Sequence, residues 1–196
     1  MKLKYLLFFL LLSSNFIFSQ EKVIESNDKE VVLPVTAAKV AQNGKVENGA
    51  YTCFKFDWKI KIPEGYGVTV MQNPTYLIGF EVDKRNNFSS SFESLAGTQI
   101  TSLEDHKNFI VQLFNDTYSK IETLKFDVSS LNMKIGNYDF YKVQTRLYDY
   151  KTNELLITQD LYNSFINNHL FSVNVNYNNP NIGKLLTANF LSSLSN

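Results

Sequence analysis

Few residues in this chain are equipped for chemistry. The run "SSSFES" (Ser89–Ser94) offers hydroxyl nucleophiles, and His106 follows close behind. A serine beside a histidine can run acyl transfer when a carboxylate orients the imidazole and N–H donors hold the oxyanion. No G-x-S-x-G elbow accompanies these serines, and no second motif fixes the acid or the oxyanion hole. The run reads as a solvated turn.

Metal chemistry fares no better. His106 and His169 are the only histidines, and Cys53 is the only cysteine. A zinc site takes three or four protein ligands at recognisable spacings. Glu104 and Asp105 stand at the start of a predicted helix, where acidic side chains already complement the helix dipole. His169 opens a predicted strand just after a turn. Both histidines read as structural or solvated. Asp139, Asp149, Glu154 and Asp160 lie on neighbouring strands or turns and could meet as an acid–base pair. Charge placed against edge-to-edge strand pairing accounts for them equally well. "IGNYDF" and "AGTQIT" match no phosphate-cradling fingerprint. The chain is expected to hold no metal and no cofactor and to have no catalytic residue. A hydrolase without a recognisable motif is the remaining enzymatic alternative.

Aromatic density is the positive feature. "YDFYKVQTRLYDY" (Tyr138–Tyr150) alternates with period two, as a half-buried strand does. Tyr141, Val143, Thr145 and Leu147 form a core face. Phe140, Lys142, Gln144, Arg146, Tyr148 and Tyr150 form a mixed face with two readings. It packs under a helix with the cationic stems lying over it, or it is a partner surface of Phe140, Lys142, Arg146, Tyr148 and Tyr150, residue types common in binding hot spots. Cover by a helix is the favoured reading.

These residues need elements to position them. "FKFDWKIKIP" alternates apolar and charged residues up to Pro63 and predicts a strand; "GVTVMQN" and "TYLIGFEVD" predict two more. "KRNNFSSSFESLAGTQ" is expected as a loop with a short edge strand at Phe88–Phe92. "TSLEDHKNFIVQLFNDTYSKIETL" carries an apolar stripe of helical period behind a Thr101/Glu104 capping box. Four hairpin-linked strands follow, with turns at Gly136-Asn137, "KTNE" and Asn167-Asn168. "NIGKLLTANFLSSLSN" closes the chain as a helix. The order implies an α+β fold: a single antiparallel sheet flanked by a long central helix and a C-terminal helix.

The first residues bear on compartment. Lys2 and Lys4 precede the apolar "YLLFFLLL", and Ser19 offers a small residue for cleavage, the three-part pattern of a secretory signal peptide over residues 1–19. Ser13, Ser14 and Asn15 interrupt the run short of the roughly 20 apolar residues a membrane span needs. No cysteine stands at the first mature position, so a soluble, exported protein, periplasmic or extracellular, is expected. Without Lys2 and Lys4, seventeen basic side chains face nineteen acidic ones. That balance lacks the basic footprint nucleic-acid binding demands. Residues 20–50 sustain no period and contain Pro34 and several turn formers, so a flexible leader is expected before one domain at 51–196. A lone cysteine in an alternating pattern reads as a buried thiol, with intermolecular pairing as the alternative.

"WKIKIPEGY", "SLEDHKNFIVQLF", the glycine turn into "IGNYDFYKV" and the terminal "FLSSLSN" resemble the PsbP-like fold group. That group takes in the PsbP, Mog-type and DcrB-like proteins. Pro63, Ser102-Leu103-Glu104 and Ile135-Gly136 carry the match, and Tyr66 stands where a tryptophan is usual. The resemblance covers about residues 51–196. It implies a non-catalytic α-β-α sandwich and transfers no functional residue, since its members share no active site. DcrB-like proteins are usually lipid-anchored, and the missing cysteine departs from that. The heavy use of Asn, Lys, Ile, Phe and Tyr, with "FSQ" at the cleavage region, resembles exported proteins of Bacteroidetes-type bacteria. Together these readings imply a binding protein without catalysis whose partner is an unidentified protein. The alternative is a carrier of a small apolar ligand or lipid, held between sheet and long helix.

Overall fold

The computed structural model describes residues 31–33, 39–70 and 73–195. The expected signal peptide, and residues 20–30 of the expected leader, lie outside the described residues. In chain order the elements are β1 (Val31–Leu33), β2 (Lys39–Ala41), β3 (Gly44–Glu47), β4 (Ala50–Cys53), β5 (Lys59–Lys61), β6 (Gly67–Val70), β7 (Tyr76–Asp83) and β8 (Asn86–Ser94). Helix α1 (Leu103–Tyr118) comes next, then β9 (Leu124–Ile135), β10 (Tyr138–Asp149), β11 (Leu155–Ile166), β12 (His169–Tyr177) and helix α2 (Pro180–Ser192).

Two antiparallel sheets form, not the single sheet expected. The large one has the order β1-β6-β7-β8-β12-β11-β10-β9, and the small one β2-β3-β4-β5. The small sheet begins inside the stretch expected as a flexible leader. Its strands are three or four residues long, too short to display a period, and its turns look like irregular chain. Asn48 (φ 51°) and Gly49 (φ 70°) form a left-handed pair between β3 and β4, as Asn167 (φ 50°) and Asn168 (φ 60°) do between β11 and β12. Such pairs match the right-handed twist of the strands they join.

Three further expectations are corrected. Within "FKFDWKIKIP" only Lys59–Lys61 is hydrogen-bonded strand, although Phe56, Trp58, Ile60 and Ile62 are still buried in alternation. The serine-rich segment is no loop: β8 pairs with β7 on one side and β12 on the other, well inside the large sheet. Helix α1 stops at Tyr118, and its cap is Ser102, whose hydroxyl accepts from the Asp105 N–H at 3.0 Å. The Asp105 carboxylate returns to the Ser102 hydroxyl at 2.7 Å, so the capping pair sits one residue beyond Thr101 and Glu104. The meander from β9 to β12 has the expected antiparallel hairpin order.

Each face of the large sheet has its own core. Helix α1 brings Ile110, Phe114 and Tyr118 onto Val143, Leu147, Ile157 and Leu161. On the opposite face, α2 and the small sheet cover the strands together. Leu186 and Phe190 join Phe140, Tyr162 and Phe171 there, with Tyr51, Trp58 and Ile60 from the small sheet. The Phe171 ring meets Trp58 edge-on at 5.0 Å, and the Trp58 indole N–H donates to Ser193 Oγ at 2.8 Å. Burial of one such ring contributes roughly 2–3 kcal/mol, so this aromatic cluster fixes α2 and the small sheet on one side of the strands.

Candidate functional site

Strand β10 separates the two faces residue by residue. Tyr141, Val143, Thr145 and Leu147 are fully buried on the α1 face. The even positions divide. Phe140 is 1% exposed, its ring 6.0 Å from Phe190 and 6.2 Å from Phe171. Phe140 therefore leaves the expected partner surface, because α2 seals it into the core.

Beyond Phe140 the cover thins, since α2 lies on β12, β8 and β5. Lys142 Nζ is 2.8 Å from Asp160 Oδ2 and 5.4 Å above the Tyr162 ring. Gln144 Nε2 donates to Asp160 Oδ1 at 2.8 Å, and the Tyr177 hydroxyl reaches Oδ2 at 3.4 Å. A buried carboxylate is thus held by one cation and two neutral donors, as burial of charge demands. Arg146 is exposed, opposite Asp127 on β9 and Thr158 on β11, with no hydrogen bond or ion pair among the described residues. Tyr148 is half-buried, and Tyr150 is 56% exposed with Lys125 Nζ 5.4 Å from its ring centroid. The structure brings Lys142, Arg146 and Tyr148 onto one face of the β9–β11 region and leaves Tyr150 exposed just past the end of the strand.

The α1 face carries polar groups that the sequence reading missed. Beneath the helix, His106 Nδ1 lies 2.8 Å from the Tyr141 hydroxyl, which accepts from Asn163 Nδ2 at 2.8 Å. Asn163 Oδ1 in turn accepts from the Ser172 hydroxyl. The Tyr141 oxygen accepts a hydrogen bond from Asn163, and assigning its own O–H to Nδ1 places the imidazole proton on Nε2. Nε2 has no partner among the described residues. Burial pushes the His106 pKa down to about 4 and raises the Tyr141 phenol far above its usual range. His106 is a buried neutral histidine, not a solvated one. No serine of the Ser89–Ser91 run shares a hydrogen bond with it, and Ser90 donates to the Ile78 carbonyl on the opposite face.

Farther from α1 the same face turns polar. Cross-strand register aligns Ser172 with Ser91, Asn174 with Ser89, and Asn176 with Asn87. Their odd-numbered neighbours on β12, Phe171, Val173 and Val175, point to the other core. The signal was present in "FSVNVNY", where apolar residues alternate strictly with Asn or Ser and mark a strand with one polar face.

Other chemistry is separated by the fold. His169 stacks on Phe92 at 4.5 Å, on the face opposite His106, so the two histidines share no site. Asp149 is a turn residue whose carboxylate, held below the usual range by the N–H groups of Thr152 and Lys151, lies well away from Asp160. Cys53 is buried, and its sulfur accepts from the Lys55 N–H at 3.3 Å. Among the described residues no helix is long and apolar enough to cross a membrane.

No family model matches the chain. Comparison with curated protein sequences finds no match either. In structure the chain is similar to the solution structure of cyanobacterial PsbP (CyanoP) from Synechocystis sp. PCC 6803, with a TM-score of 0.52 and 9% identity over 74% of this chain and 88% of that one. Identity so low carries the fold alone: the chain has a PsbP-like arrangement of helices on mostly antiparallel sheet.

Proposed function

We propose that this protein is a non-catalytic binding protein, exported by way of residues 1–19, and that its partner docks on the open part of β10. The observation that carries the reading is Arg146. It is exposed and unpaired, between the Lys142–Asp160 pair and the half-open Tyr148. An arginine flanked by tyrosines is the composition of a binding hot spot, where a partner desolvates the guanidinium and pairs it. The partner chemistry that fits is a protein surface offering a carboxylate to Arg146 beside an apolar or aromatic group for Tyr150. The kinship with exported Bacteroidetes-type and DcrB-like proteins belongs to this proposal as well.

Site-specific photo-crosslinking tests it. A benzoylphenylalanine at position 150, in cells that make the protein, is expected to give a discrete adduct lost in Arg146→Glu. The same probe at Phe54, exposed at the end of β4, is expected to give none. Identical adduct patterns from the two positions would sink the proposal.

A further inference from the structure

The large sheet ends in two unlike edges, β1 and β9. Strand β1 is three residues long, and brevity is one way a protein blunts an edge. Strand β9 is twelve residues long, pairs with β10 in unbroken register along its whole length, and holds no proline or bulge. Two hydrogen bonds tell which of its backbone groups face outward. The Tyr150 N–H donates to the Thr123 carbonyl at 3.1 Å, while the Asp149 N–H turns away to Glu154. Thr123 and the odd residues after it therefore point their backbone groups at β10. Leu124, Phe126, Val128, Ser130, Asn132 and Lys134 point theirs outward. Apart from the Leu124 N–H, which donates to Ile121, none of these outward groups has a partner among the described residues.

An open strand edge is a template for another strand, and this one carries its own selector. Its first five residues, Leu124-Lys125-Phe126-Asp127-Val128, read apolar, cation, aromatic, anion, apolar. Turned end for end about Phe126, the pattern is complementary to itself. Lys125 meets Asp127, Leu124 meets Val128, and Phe126 meets Phe126. Lys125 and Asp127 are exposed, in register with Tyr148 and Arg146 on the face opposite α1. Leu124, Phe126 and Val128 are half-buried where the α1-side core runs out to the edge, so an added strand extends that core. Helix α1 lies over β9 and β10. With strands about 4.8 Å apart, a second copy sets its own α1 about 10 Å away, the spacing of packed helices. A lysine on an edge repels most strands, and a copy of this chain supplies the carboxylate that answers it.

We propose that a second copy of this chain pairs antiparallel with β9 about a two-fold axis at Phe126, making one continuous sheet across a dimer. Phe126 exchanges both backbone hydrogen bonds with its own copy, and the Val128 N–H reaches the Leu124 carbonyl of the second copy. The Leu124 N–H is already given to Ile121, so the ladder ends there. Two Lys125–Asp127 pairs flank the axis on one face and the Phe126 rings meet on the other, both kinds of pair that stabilise opposed strands. Past Val128 the second copy has turned off toward its own α1, and Ser130, Asn132 and Lys134 keep their outward groups in water.

Sedimentation equilibrium of the protein, purified from cells that make it, tests this over a micromolar-to-millimolar range. Wild type is expected to dimerise. Asp127→Lys puts like charges opposite one another on both sides of the axis and is expected to weaken the dimer about tenfold or more. Lys125→Asp is expected to do the same with the opposite sign. The double variant Lys125→Asp/Asp127→Lys restores opposite charges across the seam and is expected to recover wild-type dimerisation. Both positions are exposed, and melting curves check that each variant folds. A protein monomeric throughout the range, a dimer indifferent to Asp127→Lys, or a loss that the double exchange does not recover overturns the proposal.

Discussion

The hydroxyl of Tyr141 lies 2.8 Å from Nδ1 of His106 and ties the first turns of α1 to β10. The imidazole is 2% exposed and is neutral in the fold, its pKa held at about 4 against 6.5 for the free side chain. A base whose folded pKa is depressed binds its proton more readily in the unfolded chain. Stability from this residue is therefore intact above about pH 6.5 and drains away as pH falls toward 4. At about 1.4 kcal/mol per pKa unit the full loss is about 3 kcal/mol. Urea unfolding at pH 7, 5.5 and 4 checks this in wild type and His106→Phe. The difference between the two is expected to shrink or reverse as the pH falls. A constant difference across the range would show that His106 titrates normally.

The same pair shows what the sequence could say. His106 falls on the apolar stripe of α1 at a four-residue step from Ile110 and Phe114, so its burial was legible from helical period. Its partner was not, because the Tyr141 contact depends on how α1 lies across β10. The meander was legible for the opposite reason: its turns are local chemistry, and twelve-residue strands display their period plainly. The small sheet and β8 were hidden. Three-residue strands carry no period, and a serine-rich strand has the composition of a loop until its register with β7 and β12 is known. Phe140 was misplaced on the partner surface because alternation assigns a residue to a face without saying how far along that face the cover extends.

Phe140 and Tyr150 test that boundary, being aromatics on one strand and just beyond its end. Phe140→Ala removes a ring packed between Phe171 and Phe190 and is expected to cost about 3–5 kcal/mol in urea unfolding. Tyr150→Ala removes an exposed ring with one cation beside it and is expected to change stability by less than about 0.5 kcal/mol. Equal losses would mean that cover extends over the whole of β10.

Gly136 joins β9 to β10 at φ 57°, and a Cβ there would run into the Leu194 carbonyl just past α2. Both faults act together in Gly136→Ala, a strained backbone and a displaced C-terminus. The variant is expected to lose about 2 kcal/mol or more and to raise hydrogen exchange in the last turn of α2. Asn137→Ala, in the same turn, is the control. Slow exchange retained in α2 of Gly136→Ala would show that the C-terminal segment yields without cost.

The Lys142–Asp160 pair lies where the α2 face passes from core to open surface, and its members are not equally replaceable. Asp160 is almost wholly buried, while Lys142 keeps part of its stem in solvent. In Lys142→Met the carboxylate stays buried with only Gln144 and Tyr177 as donors, and the expected cost is about 3 kcal/mol. In Asp160→Leu the freed ammonium can bend out to water, so the loss is expected to be smaller. The double variant Lys142→Met/Asp160→Leu removes both desolvation penalties and fills the space with apolar atoms. It is expected to lie within about 1 kcal/mol of wild type, more stable than Lys142→Met alone. Urea unfolding of the four proteins closes the cycle. Additive losses in the double variant would show that the two side chains do not act as a pair, and that Asp160 is held by Gln144 and Tyr177 without help from the cation.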